Sequence, residues 1–428
     1  MARPSAPVPI PAALQDRLRT QLGTEAEALL AALDMPTPVS IRLNPAKPVD
    51  LGGTAIPWCA TGRYLAERPV FTLDPLLHAG CYYVQEAASM LLEQAFAASG
   101  LAGQDIAALD LCAAPGGKST HLAALLTPGS LLVSNEVERK RQPALLENVW
   151  KWGRMGHVVT GDTPERFAAL GPFFDLIVVD APCSGEGMMR KDPFAREQWS
   201  PKLVARCAAT QHAILDQAWC ALAPGGTLIY STCTWSSEED DGALEHLYTL
   251  GALPVALPDL SAFGVVRKTH GAVAYPHRLK GEGFFIGLVR KPGERRPREP
   301  RANVPDRLAH QGIVHRVQPA WAQQVAQFCA TVRTLAAGTP WSAVGPDGGE
   351  VPQPAAAYTG TTLEHAADLP VDRAQALTFL RGEALRLGDA PAGSWRRITY
   401  AGHGLGFVRG AGNRWNNQLP AAWRIRMR

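Results

Sequence analysis

Between about Gln104 and Lys291, short apolar stretches alternate with stretches of helical character. This alternation predicts a doubly wound α/β domain with a Rossmann-like sheet. The predicted strands are Ile106–Leu111, Leu131–Asn135, His157–Gly161, Leu176–Asp180, Thr227–Ser231 and Phe284–Val289. The predicted helices are Lys118–Leu126, Arg139–Lys151, Pro201–Leu222 and Glu238–Leu250, with Pro143 either in a first turn or at a kink.

The segments on either side of this domain follow other patterns. Residues 11–35 repeat leucines at helical spacing, and Gly23 divides them into two predicted helices. Val39–Leu43 is a predicted strand, and the Pro-, Arg- and Glu-rich stretch before residue 307 is typical of a linker. We therefore predict an N-terminal α+β extension over residues 1–100, the α/β domain over 101–291, a linker over 292–306 and a smaller C-terminal α+β region over 307–428.

Composition excludes several classes of protein. The chain has 42 basic and 39 acidic residues, and a net charge of +3 does not by itself indicate nucleic-acid binding. It has no apolar run of membrane-spanning length and no secretory pattern at its N-terminus, so we expect a cytoplasmic monomer without a membrane partner. The eight cysteines are scattered without a CxxC pair, which argues against a metal site or a disulfide framework.

The segment ALDLCAAPGGKSTHL places a turn of small residues between a strand and a helix that begins near Lys118. Gly116 and Gly117 let the backbone approach a ligand closely, and the first N–H groups of the helix are free to bind it. Glu136 follows the next strand, where an acidic side chain suits ribose hydroxyls, and Asp162 ends the third strand, where it suits an adenine amino group. An ordinary glycine-rich turn with two solvated acids explains the same residues.

Two cysteines follow predicted strands. Asp180, Pro182 and Cys183 come just after one apolar strand, and Cys233 comes at the end of another. Strand carboxyl ends form the ligand crevice of an open α/β sheet, so both thiols should lie beside the glycine-rich turn and stay accessible. The other six are interpreted as small buried hydrophobic residues, namely Cys59, Cys81, Cys112, Cys207, Cys220 and Cys329.

The segments DLCAAPGGK, DAPCSGEG and STCTWSSEE, in this order, resemble the RNA cytosine-C5 methyltransferase family, which includes bacterial rRNA enzymes and the eukaryotic Nol/Nop/Sun proteins. Three further segments also match this family: SIRLNP, which contains Arg42 and Asn44; YYVQEAASM, which contains Gln85; and AYPHRLKGEGFF. The resemblance covers about residues 35–291, and the tail after residue 305 resembles the PUA-like RNA-binding region of the bacterial 16S rRNA branch. Asp240 departs from the family, which often has Asn there, and we do not expect the change to disable the chemistry.

The resemblance implies S-adenosylmethionine as cofactor and a role for each matched residue, without a metal. Glu136 would hold the ribose, Asp162 the adenine, and Asp180 would lie in the crevice. Cys233 would be the nucleophile and Cys183 would assist product release, while Lys118 and Asp180 would touch the target base. The methionine part of the cofactor would lie against Cys112, Ala113, Ala114, Pro115, Gly116, Gly117 and Lys118.

Cytosine C5 chemistry explains why such a site needs a thiolate. C5 is too electron-poor to attack a sulfonium methyl group, but addition of a thiolate to C6 turns it into an enamine-like carbon. Charge at N3 then requires a hydrogen-bonding group, for which Asp180 is the candidate. The base must be unstacked to reach the site, so we expect a single-stranded or opened RNA target.

Small-subunit ribosomal RNA is the favoured partner, on the strength of the tail, and tRNA is the alternative. The tail interleaves arginine with tryptophan, which suits RNA, although several of these tryptophans also suit a core. Four linker arginines fit either phosphate contacts or a solvated linker: Arg295, Arg296, Arg298 and Arg301. Three other functions are alternatives: a catalytically silent RNA-binding assembly factor, a nitrogen methyltransferase and a DNA methyltransferase. The intact cysteines and the DAPC segment argue against them.

Overall fold

A computed structural model describes residues 8–295, 305–345, 348–361 and 363–427. Its N-terminal part begins with two helices that are separated at Gly23, as predicted, and continues into a four-stranded sheet of order β2-β3-β1-β4. The elements are α1 (Ala12–Leu22), α2 (Ala26–Ala32), β1 (Val39–Leu43), β2 (Thr54–Ile56), β3 (Cys59–Leu65), α3 (Pro75–His78), β4 (Tyr82–Val84) and α4 (Leu92–Ala98).

The central part confirms the predicted α/β fold. The helices are α5 (Gly117–Leu125), α6 (Gln142–Trp152), α7 (Pro164–Ala168), α8 (Pro193–Gln198), α9 (Pro201–Ala221) and α10 (Asp241–Thr249). The strands are β5 (Ala107–Asp110), β6 (Leu131–Asn135), β7 (Val158–Thr160), β8 (Phe174–Asp180), β9 (Leu222–Thr232), β10 (Leu253–Val255), β11 (Val266–Arg267), β12 (Ala272–Ala274) and β13 (Phe284–Arg290).

The order of the strands fixes where a ligand can bind. Strand β5 pairs in parallel with β6 on one side and with β8 on the other, so the chain winds outward in both directions from this point. β7 continues one half and β9 the other, and β13 pairs antiparallel with β9. Ligands of open α/β sheets bind where the strand order reverses, outside the carboxyl ends of the strands. The crevice therefore lies above β5 and β8.

Alternate residues of β5 enter two different cores, one on each face of the sheet. Ala107 and Leu109 pack in a cluster that includes Leu215 of α9, while Ala108 packs in a second cluster that includes Leu122 of α5. This two-sided burial explains why the central strands read as continuous apolar runs. It also leaves the strand ends as the places where polar side chains meet.

Two predicted helices begin later than the sequence suggests. Helix α6 starts at Gln142 instead of Arg139, with Pro143 in its first turn, where its missing N–H is not needed. Helix α10 starts at Asp241 instead of Glu238. The residues before it, Glu239 and Asp240, turn their buried carboxylates inward to accept hydrogen bonds from Ser184 N–H and the Thr232 hydroxyl. These hydrogen bonds, one of them to a residue 55 positions away in sequence, replace the first helical turn.

The C-terminal part contributes a strand to the central sheet. β16 pairs antiparallel with β7, and Phe328 of the preceding helix stacks on Phe174 at a ring distance of 6.0 Å. Residues 296–304 of the predicted linker lie outside the described residues, and the predicted division of the chain at this point stays a prediction. The elements are β14 (Arg307–His310), β15 (Ile313–Arg316), α11 (Ala322–Thr331), β16 (Thr334–Ala337), β17 (Thr339–Val344), β18 (Glu350–Pro352), β19 (Asp368–Pro370), α12 (Arg373–Leu380), β20 (Trp395–Tyr400), β21 (His403–Gly410) and β22 (Trp415–Asn417).

The last four strands form a separate small sheet of order β19-β20-β21-β22 that packs against the N-terminal sheet. Ile41 and Tyr82 of that sheet share a core with Phe379 and Ile398. The buried Lys47 ammonium donates to the carbonyl oxygens of Ala79 and Lys151, at 2.8 and 2.6 Å. Among the described residues, none of the helices is both long enough and apolar enough to cross a membrane.

A single buried arginine joins the N-terminal sheet to the helix that follows the glycine-rich turn. Arg42 of β1 donates to the Gln85 side-chain oxygen at 2.7 Å and to the Thr120 hydroxyl at 2.6 Å, and its guanidinium lies 4.4 Å from the Trp152 ring centre. Burial lowers the pKa of Arg42 to about 10, which still leaves the side chain charged at neutral pH. The motif residues Arg42 and Gln85 thus position α5.

We predict that Arg42→Met lowers the free energy of unfolding by about 3 kcal/mol, because the acceptors on Gln85 and Thr120 stay buried without a donor. Chemical denaturation measures this change. Arg63→Met in β3 is the matched control, since Arg63 donates mainly to nearby backbone carbonyls of its own strand. Equal losses in the two variants would show that Arg42 does not join the two parts.

Candidate active site

The glycine-rich turn, Cys112 to Gly116, connects β5 to α5 at the crevice. Gly116 has a φ of 113°, in the region that favours glycine, and a Cβ there would lie 3.3 Å from the Asn148 side chain. The peptide between Ala114 and Pro115 is cis. Helix α5 begins at Gly117, so its first N–H groups have no intrahelical acceptor and are free to bind a ligand.

A chain of buried polar side chains supports this turn from beneath. The Ser119 hydroxyl donates to Asp110 Oδ2 at 2.6 Å, Ser134 donates to Ser119 at 2.8 Å, and His157 Nε2 lies 2.8 Å from the Ser134 oxygen. Burial raises the pKa of Asp110 to about 7. Sequence reasoning missed this chain, although Asp110 and Ser119 lie within the recognised motif and flank the turn.

The two predicted cofactor acids have different surroundings. Glu136 is buried at the end of β6, where its Oε1 accepts from Glu138 N–H at 2.8 Å and its Oε2 lies 3.3 Å from the Arg141 guanidinium. Within the described chain, Glu136 Oε2 accepts no hydrogen bond of good geometry. Asp162 Oδ1 accepts from Thr163 N–H, and Oδ2 accepts from Arg333 N–H, next to β16. The roles of both acids stay predictions.

Lys118 and Asp180 form an ion pair across the crevice. The Lys118 ammonium lies 2.7 Å from Asp180 Oδ2 and 4.9 Å from the Phe284 ring centre. Asp180 Oδ1 accepts from the Ser231 hydroxyl at 2.8 Å. The carboxyl is about one-third exposed, so a ligand in the crevice can reach it. The turn after β5 and the end of β8 are thereby brought together.

The two predicted cysteines are in contact. Cys183 Sγ and Cys233 Sγ lie 3.1 Å apart, both as free thiols, in the loops that follow the paired strands β8 and β9. The hydrogen bond with Cys233, together with burial, raises the pKa of Cys183 well above its ordinary value. A Cys183 thiol that keeps its proton can serve as a hydrogen-bond donor to the Cys233 sulfur.

Reciprocal hydrogen bonds hold these two loops against each other. Gly187 N–H donates to the Cys233 carbonyl at 2.8 Å. Glu239, from the second loop, accepts from Ser184 N–H at 2.9 Å, and Glu186, from the first loop, accepts from Trp235 N–H at 3.0 Å. Sequence reasoning did not assign Glu186 or Glu239. The only available signal was that each lies a few residues beyond a candidate cysteine.

Asp240 lies directly behind this pair of loops. Its Oδ1 accepts from the Thr232 hydroxyl at 2.6 Å, and burial raises its pKa well above the ordinary range, which favours the neutral acid. A protonated carboxyl offers one donor and one acceptor, as an amide does. This resemblance in hydrogen-bonding capacity gives a physical reason why Asp can stand where the family often has Asn.

Three family models match successive parts of the chain. Residues 101–290 match 16S rRNA methyltransferase RsmB/F, residues 10–87 match the N-terminal domain of 16S rRNA methyltransferase RsmF, and residues 366–425 match the methyltransferase RsmF PUA domain. The PUA match covers the small sheet formed by β19 to β22.

Individual proteins agree with these models. Ribosomal RNA small subunit methyltransferase F of Escherichia coli O7:K1 is 37% identical over 284 residues, which are 61% of this chain and 59% of the relative. The Cronobacter sakazakii protein of the same name is 35% identical over 308 residues, 66% of this chain and 63% of the relative. The chain thus matches about three-fifths of the length of these relatives.

Solved structures share the fold. A methyltransferase homologue from Pyrococcus horikoshii is 25% identical, with a TM-score of 0.55 and coverage of 64% of this chain and 93% of that one. NSun6 from the same organism, solved with SFG, is 19% identical, with a TM-score of 0.57 and coverage of 68% and 100%.

We predict a distinctive pH dependence from Asp110. Its pKa is about 7 in the folded chain and about 4 in the unfolded chain, so the folded state holds a proton that the unfolded state has lost between these values. The free energy of unfolding therefore falls as pH rises from about 4 to about 7, by up to about 1.4 kcal/mol per pH unit from this group.

Asp110→Asn should remove that contribution and flatten the pH dependence of urea denaturation over this interval. Asp105→Asn, at an exposed acid just before β5, is the matched control and should leave the slope unchanged. A slope in Asp110→Asn equal to that of the unsubstituted protein would mean that Asp110 is ionised in the folded chain.

Proposed function

We infer that this chain, which belongs to the RsmB/F family of 16S rRNA methyltransferases, transfers a methyl group from S-adenosylmethionine to C5 of a cytosine in 16S rRNA. The reaction that we propose proceeds through a covalent bond between Cys233 and C6. The observation that carries this proposal is the contact of 3.1 Å between the two thiols, at the crevice that also holds the Lys118–Asp180 pair.

The residues around the turn fit S-adenosylmethionine. Glu136 Oε2 is buried and lacks a hydrogen-bond donor of good geometry among the described residues, so it is ready to accept from a ribose hydroxyl. Gly116 leaves the turn without a side chain where the methionine part would lie, and the N–H groups at the start of α5 suit its carboxylate. When bound, the cofactor supplies an electrophilic methyl group.

The chemistry that we propose begins with Cys233 as a thiolate. Its sulfur forms a bond to C6, electrons of the C5–C6 double bond move toward N3, and N3 takes a proton. Asp180, which faces the crevice in its pair with Lys118, is the group to which we assign the hydrogen bond at N3, with the Lys118 ammonium as the source of the proton. C5 is then nucleophilic and accepts the methyl group.

Product release needs two more events. The proton on C5 must leave to a base. The bond between C6 and the Cys233 sulfur must then break as the C5–C6 double bond forms again, with the sulfur leaving as a thiolate and N3 returning its proton to the Lys118 amine. Cys183 is the neighbouring group that we assign to this stage, because its sulfur already contacts that of Cys233. Before attack, the Cys183 thiol donates a hydrogen bond that favours the Cys233 thiolate, which gives the two cysteines separate tasks.

Recognition of RNA is assigned to the C-terminal part. Trp415 and Trp423 are buried, which agrees with a core role, while Arg396 lies over Trp415 and Arg409 over Trp395, each 5.8 Å from the ring centre. Guanidinium groups held on rings in this way suit phosphates and unstacked bases. Ribosomal RNA is preferred to tRNA because the matched relatives are named for the small ribosomal subunit.

The two cysteine variants should behave differently toward 16S rRNA. Cys233→Ala should lose methyl transfer and form no covalent complex, because addition to C6 needs this sulfur. Cys183→Ala should still attack and transfer, and then accumulate protein bound to methylated RNA that survives a denaturing gel. Transfer of a radioactive methyl group, with bisulfite sequencing of the product, measures both outcomes.

Cys329→Ala, in α11, is the control and should keep the activity of the unsubstituted protein. Small-subunit RNA and tRNA from a strain without this gene provide the two competing substrates. An adduct that accumulates in Cys233→Ala instead would show that the roles are reversed, and an unsubstituted protein that methylates neither RNA would favour a silent assembly factor.

Glu136→Ala should weaken binding of S-adenosylmethionine by at least about tenfold while RNA binding is kept, since a buried acceptor for the ribose is lost. Isothermal titration measures the cofactor affinity. Glu138→Ala is the matched control, because this exposed acid lies two residues further on and contributes only its backbone N–H to Glu136. Unchanged affinity in Glu136→Ala would remove this residue from the site.

A further inference from the structure

A cysteine, a glutamate and a histidine from three separate elements converge behind α5, away from the two thiols of the active site. Cys59 begins β3, Glu93 lies in α4 and His121 lies in α5. One ligand-type atom of each residue lies within 4.8 Å of those of the other two. Cys59 and His121 are buried, and the Glu93 side chain is 20% exposed, which leaves one side open to solvent.

The contacts within this cluster have an unusual feature. Cys59 Sγ and Glu93 Oε2 both approach the same ring nitrogen, His121 Nε2, at 3.8 and 3.3 Å. One imidazole nitrogen carries at most one hydrogen, so it cannot donate fully to both partners. Glu93 also hydrogen-bonds the Cys59 thiol, so the three ligand-type atoms lie in mutual contact, as ligand atoms do around a bound cation.

We propose that Cys59, Glu93 and His121 form a structural site for a thiophilic divalent cation, Zn²⁺. Zn²⁺ takes sulfur at about 2.3 Å and nitrogen or oxygen at about 2.0–2.2 Å in tetrahedral geometry, which separates neighbouring ligand atoms by about 3.3–3.7 Å. The two distances to His121 Nε2 lie close to these separations. Water, entering from the exposed side at Glu93, supplies the fourth ligand.

The surroundings prepare each residue for this role. Glu93 Oε1 accepts from Ala60 N–H at 3.1 Å, which directs Oε2 toward the cation as a single ligand. Burial lowers the pKa of His121 to about 4, so the imidazole is neutral, as a metal ligand must be. Burial raises the pKa of Cys59 to about 12, so the thiol keeps its proton in the metal-free chain and must release it when the Zn–S bond forms.

Charge in the cluster balances when the cation binds. The Cys59 thiolate and the Glu93 carboxylate neutralise Zn²⁺, and the nearby charged groups that act on the cluster are Arg42 and Lys118, both positive. Their repulsion limits the affinity of the site for a cation. The ion would join β3 and α4 to α5, the helix that Arg42 of β1 also contacts.

Sequence spacing could not reveal such a site. His121 lies 62 residues after Cys59 and 28 after Glu93, so no short pattern links the three residues. The scattered cysteines without a CxxC pair led to the expectation that the chain holds no metal. The inference is independent of the proposed methyl transfer, because none of the three residues is assigned to it.

The test uses the full-length protein after removal of metal with a chelator. Addition of Zn²⁺, followed by desalting and elemental analysis, should give one Zn²⁺ per chain. Co²⁺ in its place should show a charge-transfer band with the intensity of a single thiolate ligand. Zn²⁺ should also raise the melting temperature, because the ion binds the folded chain only.

Glu93→Gln and Cys59→Ser should each weaken Zn²⁺ binding by at least about tenfold. Glu93→Gln retains an acceptor for Ala60 N–H, so this variant should keep its fold. A melting curve measured without metal checks that it does. Cys81→Ser, at another buried cysteine of the same part, and Cys183→Ser should keep the metal. No Zn²⁺ bound at micromolar concentration, or loss of the metal in Cys183→Ser rather than in Cys59→Ser, would overturn the proposal.

Discussion

The candidate active site depends on the mutual support of two loops that follow neighbouring parallel strands. Neither loop has regular secondary structure around its cysteine, and each satisfies backbone groups of the other: Gly187 donates to the Cys233 carbonyl, and the Glu186 and Glu239 carboxylates cross over to Trp235 and Ser184. Because buried backbone groups must be paired, one loop cannot move without leaving the other unsatisfied. The contact between the two sulfurs follows from this reciprocity.

Two acidic side chains near this site are buried, and burial disfavours their charged form. Asp110 and Asp240 lie fully inside the protein, and burial raises the pKa of each. Each accepts a hydrogen bond from a buried hydroxyl, Asp110 from Ser119 and Asp240 from Thr232, which fixes its position beside the crevice. Lys118, by contrast, gives the partly exposed Asp180 a cationic partner at 2.7 Å. The two buried acids and the partly exposed Asp180 therefore differ in their surroundings.

Much of this arrangement could be predicted from local sequence. Strand Leu131–Asn135 was located to the residue. The positions of Cys183 and Cys233 at strand ends placed both at the crevice, and the structure brings their sulfurs to 3.1 Å from each other. Partners distant in sequence could not be predicted in this way. The residues that Arg42 contacts, and the crossing of Glu186 and Glu239, depend on how separate elements pack, and a single sequence carries no signal for such pairs. The start of α10 was displaced for the same reason.

The pairing of β16 with β7 has a consequence for how the chain is made. Without β16, one border of the central sheet would present a row of unpaired N–H and C=O groups, a template on which other chains can assemble. Residues 334–337 leave the ribosome well after the last strand of the α/β domain. During synthesis, β7 therefore remains an unpaired edge of the sheet until residues 334–337 have left the ribosome. A short β7 of three residues, Val158–Thr160, limits the area exposed during that interval.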